Sequence, residues 1–163
     1  SPIHKMVIND IGPRIPAAGL QRVATYVGQV VTFDSIEKME KFLRTIAATF
    51  GNLSDEQWRH MTIHGARQLE DGRYTFAYDP GIAKNFRTLD LKDIDLWSMW
   101  DAIHCPTLVL RGEHSDVLDH ADAVIMTERG PKATLIEFPG MGHAPALMAD
   151  DQIAVVRNWL LAD

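Results

Sequence analysis

The sequence has 163 residues, of which 46% are hydrophobic and 23% charged, a composition that excludes a disordered chain and allows one compact core. The net charge is −6 and the 16 Lys and Arg residues are scattered, which excludes a basic surface for nucleic acid. Cys105 is the single cysteine, so no internal disulfide can form, and no apolar run approaches the roughly 20 residues that span a bilayer. Because the first residues also lack the anatomy of a signal peptide, we expect a soluble, cytoplasmic protein with no nucleic-acid or membrane partner.

The N-terminal part predicts a strand, a loop and a helix. Ile3 to Ile8 form an apolar run, and Asn9-Asp10-Ile11-Gly12-Pro13 punctuates it as a loop. Pro16 begins a helix with one apolar face, and Gly28 ends it. Residues 1–33 are therefore predicted to be the first part of an α/β core.

Residues 34–100 predict mainly short helices and turns. Asp34 followed by Glu37 resembles a capping box and begins a helix that runs to Gly51. Ser54 and Gln57 form a second capping box. This block is too long for a simple crossover between two strands, and we interpret it as a helical lid.

Residues 101–163 return to the alternation of strand and helix. The pattern predicts a buried strand over 105–111, a helix over 119–129, a strand over 134–138 and a terminal amphipathic helix over 150–161. The predicted fold class is thus α/β, with parallel strands flanked by helices and a helical insertion.

Functional groups of an open α/β sheet lie in loops beyond the carboxyl ends of its strands. Three such loops contain Asp10, residues 112–116 and residues 140–145. His143 lies among two glycines and a proline, which bend the backbone to present its side chain. An aspartate in a neighbouring loop would hold the imidazole in one tautomer, as in a catalytic triad.

Two longer stretches carry a family resemblance. They are Pro106-Thr107-Leu108-Val109-Leu110-Arg111-Gly112 with Ser115-Asp116, and Glu137-Phe138-Pro139-Gly140-Met141-Gly142-His143-Ala144-Pro145. Both stretches resemble the α/β-hydrolases that have a helical cap after the sixth core strand. The resemblance spans essentially the whole chain and implies strand six, the cap, strands seven and eight, and the last helix.

The resemblance implies that Asp116 is the acid and His143 the base of a catalytic triad. Asp10 is the second candidate for the acid, because some dehalogenase-like relatives place the acid after strand six. The structural alternatives are an N-cap role for Asp116, a packed loop histidine for His143 and a turn residue for Asp10.

The nucleophile of this family lies in G-x-S-x-G, and the sequence has no such motif. None of its five serines has a glycine two residues away on both sides. The resemblance places the nucleophile and the oxyanion hole before strand six. We therefore expect a C-terminal part of a hydrolase that is inactive alone, needs no cofactor and acts on a small molecule only when intact.

Four aromatic or sulfur-containing side chains suggest a substrate pocket under the lid: Trp58, Met61, Trp97 and Trp100. Packing between lid and core explains these side chains equally well. His60 and His64 are four residues apart on a predicted helix, but a third ligand is not evident. We accordingly predict no metal site.

The alternative function is a non-catalytic interaction module. In the family, the first strand pairs with a further strand, so here it would present an unpaired apolar edge. The missing N-terminal half or a second copy of the chain would be the partner.

Overall fold

The computed structural model describes residues 3–84 and 92–162, so the ends of the chain and residues 85–91 of the predicted lid lie outside the described residues. The described residues form two compact units. The first contains residues 3–20, 49–51 and 92–162, and the second contains 21–48 and 52–84. The second unit has different bounds from the predicted lid of 34–100, because it includes residues 21–33 and excludes 49–51 and 92–100. Its role as a lid stays a prediction.

The strands and helices follow the predicted alternation. The strands are β1 (Met6–Asn9), β2 (Arg14–Ile15), β3 (Ala66–Gln68), β4 (Tyr74–Phe76), β5 (Ile94–Asp95), β6 (Thr107–Gly112) and β7 (Thr134–Phe138). The helices are α1 (Ala17–Ala24), α2 (Ile36–Ile46), α3 (Asp55–Gly65), α4 (Trp97–Asp101), α5 (His120–Glu128) and α6 (Asp150–Leu161), with 3-10 turns at Ala48–Phe50 and Pro80–Ala83. None of the helices in the described ranges is long and apolar enough to cross a bilayer.

The first unit is built on a three-stranded parallel sheet with the order β1-β6-β7. Met6 lies opposite Thr107, and Leu108 lies opposite Thr134. Every residue of β6 is buried, as expected for a parallel strand covered on both faces. Because the three strands are parallel, the loops that follow them leave from the same edge of the sheet.

Side chains of β6 alternate between two hydrophobic clusters. Val109 packs on one face with Trp100, Leu118 and Met126. Leu108 and Leu110 pack on the other face with Phe138, and α6 contributes the partly buried residues Val155, Val156 and Trp159 to this cluster. The sheet is thus held between apolar layers contributed by helices and loops.

The second unit pairs α2 and α3 with the antiparallel hairpin β3–β4. The capping box at α3 is confirmed: the Gln57 amide N–H donates to Ser54 Oγ at 3.2 Å, and the Ser54 amide N–H donates to Gln57 Oε1 at 2.8 Å. The predicted cap of α2 is wrong. Ser35 is the N-cap residue, and Asp34 forms an ion pair with Lys38 instead.

The predicted ends of the first two helices also differ from the structure, and α1 ends at Ala24, before Gly28. The helix that begins at residue 36 ends at Ile46, before the 3-10 turn, and does not reach Gly51. The residues after α3 form β3, because they pair with β4 across a turn. Helical periodicity carries no information about pairing across a turn, so it could not reveal this strand.

The central strand gives a stability prediction. Leu110 has no exposed surface, so we expect Leu110→Ala to lower the free energy of unfolding by about 2–5 kcal/mol through lost burial and a residual cavity. Leu161, which is 69% exposed, is the matched control, and Leu161→Ala should change stability by no more than about 0.5 kcal/mol. Urea unfolding of the two variants measures the difference. Equal losses would contradict the placement of Leu110 in the core.

Candidate functional site

Asp10 is the first residue after β1 and anchors the site. Its amide N–H donates to the carbonyl of Leu110 at 2.8 Å, which extends the pairing of β1 with β6. Its side chain is completely buried, and its backbone has a φ of 58°. Positive φ is uncommon for an aspartate, and strained backbone of this kind is concentrated at functional sites.

His143 lies directly on the Asp10 carboxylate. Its Nδ1 is 2.9 Å from Asp10 Oδ2 and 2.9 Å from the Asp10 carbonyl oxygen. Both partners are acceptors, so a proton on Nδ1 satisfies them and leaves the lone pair on Nε2. The imidazole is 23% exposed, and Nε2 has no hydrogen-bond partner among the residues that the structure describes. This arrangement can present Nε2 as a proton acceptor.

Gly112, at the end of β6, holds the second oxygen of the carboxylate. Its amide N–H donates to Asp10 Oδ1 at 2.9 Å. A Cβ atom at this position would lie 2.8 Å from the Met141 carbonyl oxygen and closer still to that of Gly142, so only glycine permits the approach of the His143 loop. This role of Gly112 depends on the approach of a distant loop, so the local sequence pattern did not indicate it.

Further hydrogen bonds join the loops that follow the three strands. The His114 amide N–H donates to the Met141 carbonyl at 2.7 Å, and the Glu113 amide N–H donates to the Phe138 carbonyl at 3.0 Å. Asn9 Nδ2 donates to the Pro145 carbonyl at 3.0 Å. The position of His143 is therefore fixed by backbone contacts to the loop after β6 and by a side-chain contact from the end of β1.

The structure does not bring Asp116, the first-ranked acid, to His143. Its side chain is exposed, and no hydrogen bond joins it to His143 among the described residues. The N-cap position of α5 belongs to Asp119, so the alternative role predicted for Asp116 is wrong. Asp10 and Asp116 each follow a parallel strand, and the order of residues in the sequence allows either of them to be the acid. Among the described strands, only β1 is followed by a carboxylate that is buried against the imidazole.

A buried arginine supports the loop that contains Asp116. Arg111 Nε donates to the Leu118 carbonyl at 2.8 Å, and its Nη1 donates to the Glu113 carbonyl at 3.2 Å and to Glu137 at 2.6 Å. His120 is also hydrogen-bonded to Glu137, at 3.0 Å. Burial alone would raise the pKa of Glu137, but the hydrogen bonds from His120 and Arg111 outweigh it and lower that pKa below its ordinary value.

The predicted pocket residues lie in separate units. Trp100 is 4% exposed in the core of the first unit, and its indole N–H donates to the Arg129 carbonyl at 2.9 Å. Trp97 packs against the same cluster. Trp58, 6% exposed, and the half-buried Met61 belong to the second unit. Packing within each unit accounts for the buried tryptophans, and a pocket role for these residues stays a prediction.

His60 and His64 lie side by side on α3, with ring centroids 4.2 Å apart. In the described parts of the chain, no group of three or more His, Cys, Asp or Glu side chains is close enough to hold a metal ion. The pair therefore falls short of the three protein ligands of a typical catalytic zinc site.

Comparisons with known proteins agree with this fold. A 3-hydroxybutyrate-oligomer hydrolase of Cupriavidus necator is 34% identical in an alignment 170 residues long. The alignment covers 98% of this chain and 57% of that protein. An α/β hydrolase of Novosphingobium aromaticivorans is 33% identical with a TM-score of 0.83, covering 97% of this chain and 56% of its own. A Rickettsia typhi protein described as a hydrolase is 32% identical with a TM-score of 0.87, covering 97% of this chain and 53% of its own.

No protein-family model matches the sequence. The parallel sheet flanked by helices and the likeness to these hydrolases nevertheless agree along nearly the whole chain, and the chain has the fold of the α/β-hydrolases. It spans between half and three-fifths of the length of the relatives named above.

The two candidate acids can be separated by the tautomer of His143. Asp10→Asn removes the carboxylate that accepts from Nδ1, so we expect the fraction of neutral imidazole with its proton on Nδ1 to fall. Asp116→Asn is the matched control and should leave this fraction unchanged. Nitrogen-15 NMR of the labelled imidazole measures it, and a change in the Asp116 variant alone would restore Asp116 as the partner of His143.

The lowered pKa of Glu137 gives a pH dependence. A carboxylate whose folded pKa lies below its unfolded pKa stabilises the fold above the unfolded value, and this contribution disappears as the pH falls through the folded pKa. We expect Glu137→Gln to lower the free energy of unfolding by about 1–3 kcal/mol at pH 7 through the weakened contacts to Arg111 and His120. The difference from the wild type should shrink below about pH 4. Urea unfolding across pH 3–7 tests this, and a difference that does not vary with pH would refute it.

Proposed function

We propose that this chain supplies the acid and the base of an α/β-hydrolase active site, with Asp10 as the acid, His143 as the base and the nucleophile on polypeptide outside this sequence. The observation that carries the proposal is the 2.9 Å contact between His143 Nδ1 and the completely buried Asp10 carboxylate. Since the other carboxylate oxygen is held by Gly112, the acid cannot turn away from the imidazole without losing a buried hydrogen bond.

The chemistry follows from the free Nε2 atom. Nε2 accepts the proton of the nucleophile as that group attacks an ester carbonyl, and the Asp10 carboxylate stabilises the imidazolium that forms. The proton then passes from Nε2 to the departing alcohol, which leaves an acyl-enzyme. Water, activated by the same nitrogen, releases the acid and restores the nucleophile.

The free edge of β1 is the place proposed for the nucleophile-bearing polypeptide. Within the described residues, β6 is the one strand that pairs with β1, and the opposite edge of β1 is unpaired. An apolar groove of about 300 Å³ runs beside β1 and includes Ile8, Ile11, Met99 and Trp100. Asn9 Oδ1, at the end of the same strand, is buried and has no hydrogen-bond partner among the described residues.

These features fit a companion that adds a parallel strand to β1 and covers the groove with a helix. Such a strand would end beside Asp10 and His143, because parallel strands place their carboxyl ends at one edge. A strand-to-helix turn at that edge is where this family carries its nucleophile. The greater length of the relatives supports a companion of this kind.

An ester is the substrate class that we propose. The Cupriavidus necator relative is named as a hydrolase of 3-hydroxybutyrate oligomers. The second unit, which contains α2, α3 and the β3–β4 hairpin, would act as the lid that selects a small substrate and excludes water, with Trp58 and Met61 as its candidate pocket residues.

Self-association without catalysis is the second candidate. It is favoured by an apolar surface of α6 on which Ile153, Leu160 and Leu161 are about half exposed or more, beside a groove of about 460 Å³. Light scattering of the purified chain distinguishes the candidates: a stable dimer favours self-association, and a monomer favours the proposed companion.

A chimaera tests the proposed function. This chain would replace the matching part of the Cupriavidus necator hydrolase, and hydrolysis of p-nitrophenyl butyrate and of a 3-hydroxybutyrate dimer would be measured. We expect no turnover from the chain alone, turnover from the chimaera, and a loss of about 10³–10⁴-fold in kcat for His143→Ala or Asp10→Asn.

Asp116→Asn is the matched control in the chimaera and should retain most of the activity. Turnover by the isolated chain that disappears in His143→Ala would show that the nucleophile lies within these 163 residues. A large loss in Asp116→Asn together with a small loss in Asp10→Asn would reassign the acid.

A further inference from the structure

The segment of residues 49–51 lies against the His143 loop, although it connects two helices of the other unit. It follows α2 and the first residue of a 3-10 turn, and it precedes α3, but it belongs to the same compact unit as Asp10 and His143. Its contacts with the histidine loop are therefore part of the site.

Thr49 makes two hydrogen bonds there, one on each side of the His143 residue. The Gly142 amide N–H donates to the Thr49 carbonyl at 2.8 Å. The Thr49 hydroxyl donates to the His143 carbonyl at 3.1 Å. The backbone entering His143 and the backbone leaving it are thus both tied to a single residue.

Close packing reinforces these two bonds. A Cβ atom on Gly142 would lie 2.7 Å from Thr49 Cβ, which is shorter than real side chains allow. Gly142 is buried, and the chain can approach Thr49 this closely only because the glycine has no side chain. Gly142 therefore serves this contact.

We propose that Thr49 is a positioning residue for His143: by holding the Gly142 amide and the His143 carbonyl, it keeps the imidazole on the Asp10 carboxylate. Both hydrogen bonds of Thr49 go to backbone atoms, so its effect passes through the backbone of residues 142–143. The importance of this position for catalysis rests on the proposed function, but the positioning itself can be measured without catalysis.

The test uses the 163-residue chain and three substitutions. Thr49→Val removes the hydroxyl and keeps the shape of the side chain, while Thr49→Ser retains the hydroxyl. Thr45→Val is the matched control, because Thr45 also donates its hydroxyl to a backbone carbonyl, but to that of Lys41 in its own helix α2. Nitrogen-15 NMR reports the tautomer of His143, and hydrogen exchange reports the Gly142 amide.

Thr49→Val removes the hydrogen bond to the His143 carbonyl and keeps the Thr49 carbonyl to which the Gly142 amide donates. Because opening this contact then breaks one neutral hydrogen bond fewer, we expect the exchange rate of the Gly142 amide to rise about fivefold and the fraction of imidazole protonated on Nδ1 to fall. Thr49→Ser and Thr45→Val should match the wild type. Gly142→Ala is an independent variant that should move both signals in the same direction as Thr49→Val, should that variant fold poorly.

Three outcomes would overturn the inference. These are wild-type signals in Thr49→Val and Gly142→Ala, equal changes in Thr49→Val and Thr49→Ser, or the same changes in Thr45→Val. The proposed function can fail separately: a shift in the tautomer of His143 together with an inactive chimaera would leave the positioning intact and reject the catalytic assignment.

Discussion

A carboxylate with no access to water needs partners for both of its oxygens, since an unpaired buried charge costs several kcal/mol. Asp10 meets this need with the Gly112 amide on one oxygen and the His143 imidazole on the other. The three residues follow or end three different strands, so the contacts exist only while β1, β6 and β7 remain side by side in parallel. The sheet and the candidate site are therefore parts of one arrangement.

β6 takes part both in the packing of the core and in the placement of the polar groups of the site. Its side chains are buried on both faces, its neighbours are the strands that precede Asp10 and the His143 loop, and it ends in Gly112. Arg111, next to that glycine, holds the following loop through two backbone carbonyls and Glu137. Packing of the strand and placement of the polar groups thus depend on the same few residues.

The apolar surfaces beside β1 and on α6 consist of the same kind of side chains that form the core, and their burial against another surface would be favourable. An open parallel sheet in a complete α/β fold is covered on both faces and continues until an edge is protected. Among the described residues, one edge of β1 is unpaired, and Asn9, the last residue of that strand, has a buried side-chain oxygen without a hydrogen-bond partner. The companion that we propose would pair with the backbone edge, cover apolar surface and bring a nucleophile to the free side of His143.

Local patterns predicted the elements whose causes are local. The capping box of Ser54 and Gln57, the strand at 134–138 and the terminal helix at 150–161 agree with the structure, because capping and burial periodicity act over a few residues. The cap of α2 failed because Asp34 and Ser35 are both good N-cap residues, and the ion pair of Asp34 with Lys38 leaves the cap to Ser35. Likewise, β3 depends on a pairing partner that helical periodicity cannot reveal.

The sequence by itself determined the α/β class and three loops with candidate groups, because hydrophobic period, glycine and proline act on nearby backbone. The loop at His143 was visible, and so were two aspartates in suitable positions. Only the tertiary structure decided that the imidazole contacts Asp10, 133 residues away, and that Thr49, 94 residues away, holds its backbone. Distances between loops depend on how the strands are ordered and how closely glycines let the backbones approach, and neither property is encoded within a single loop.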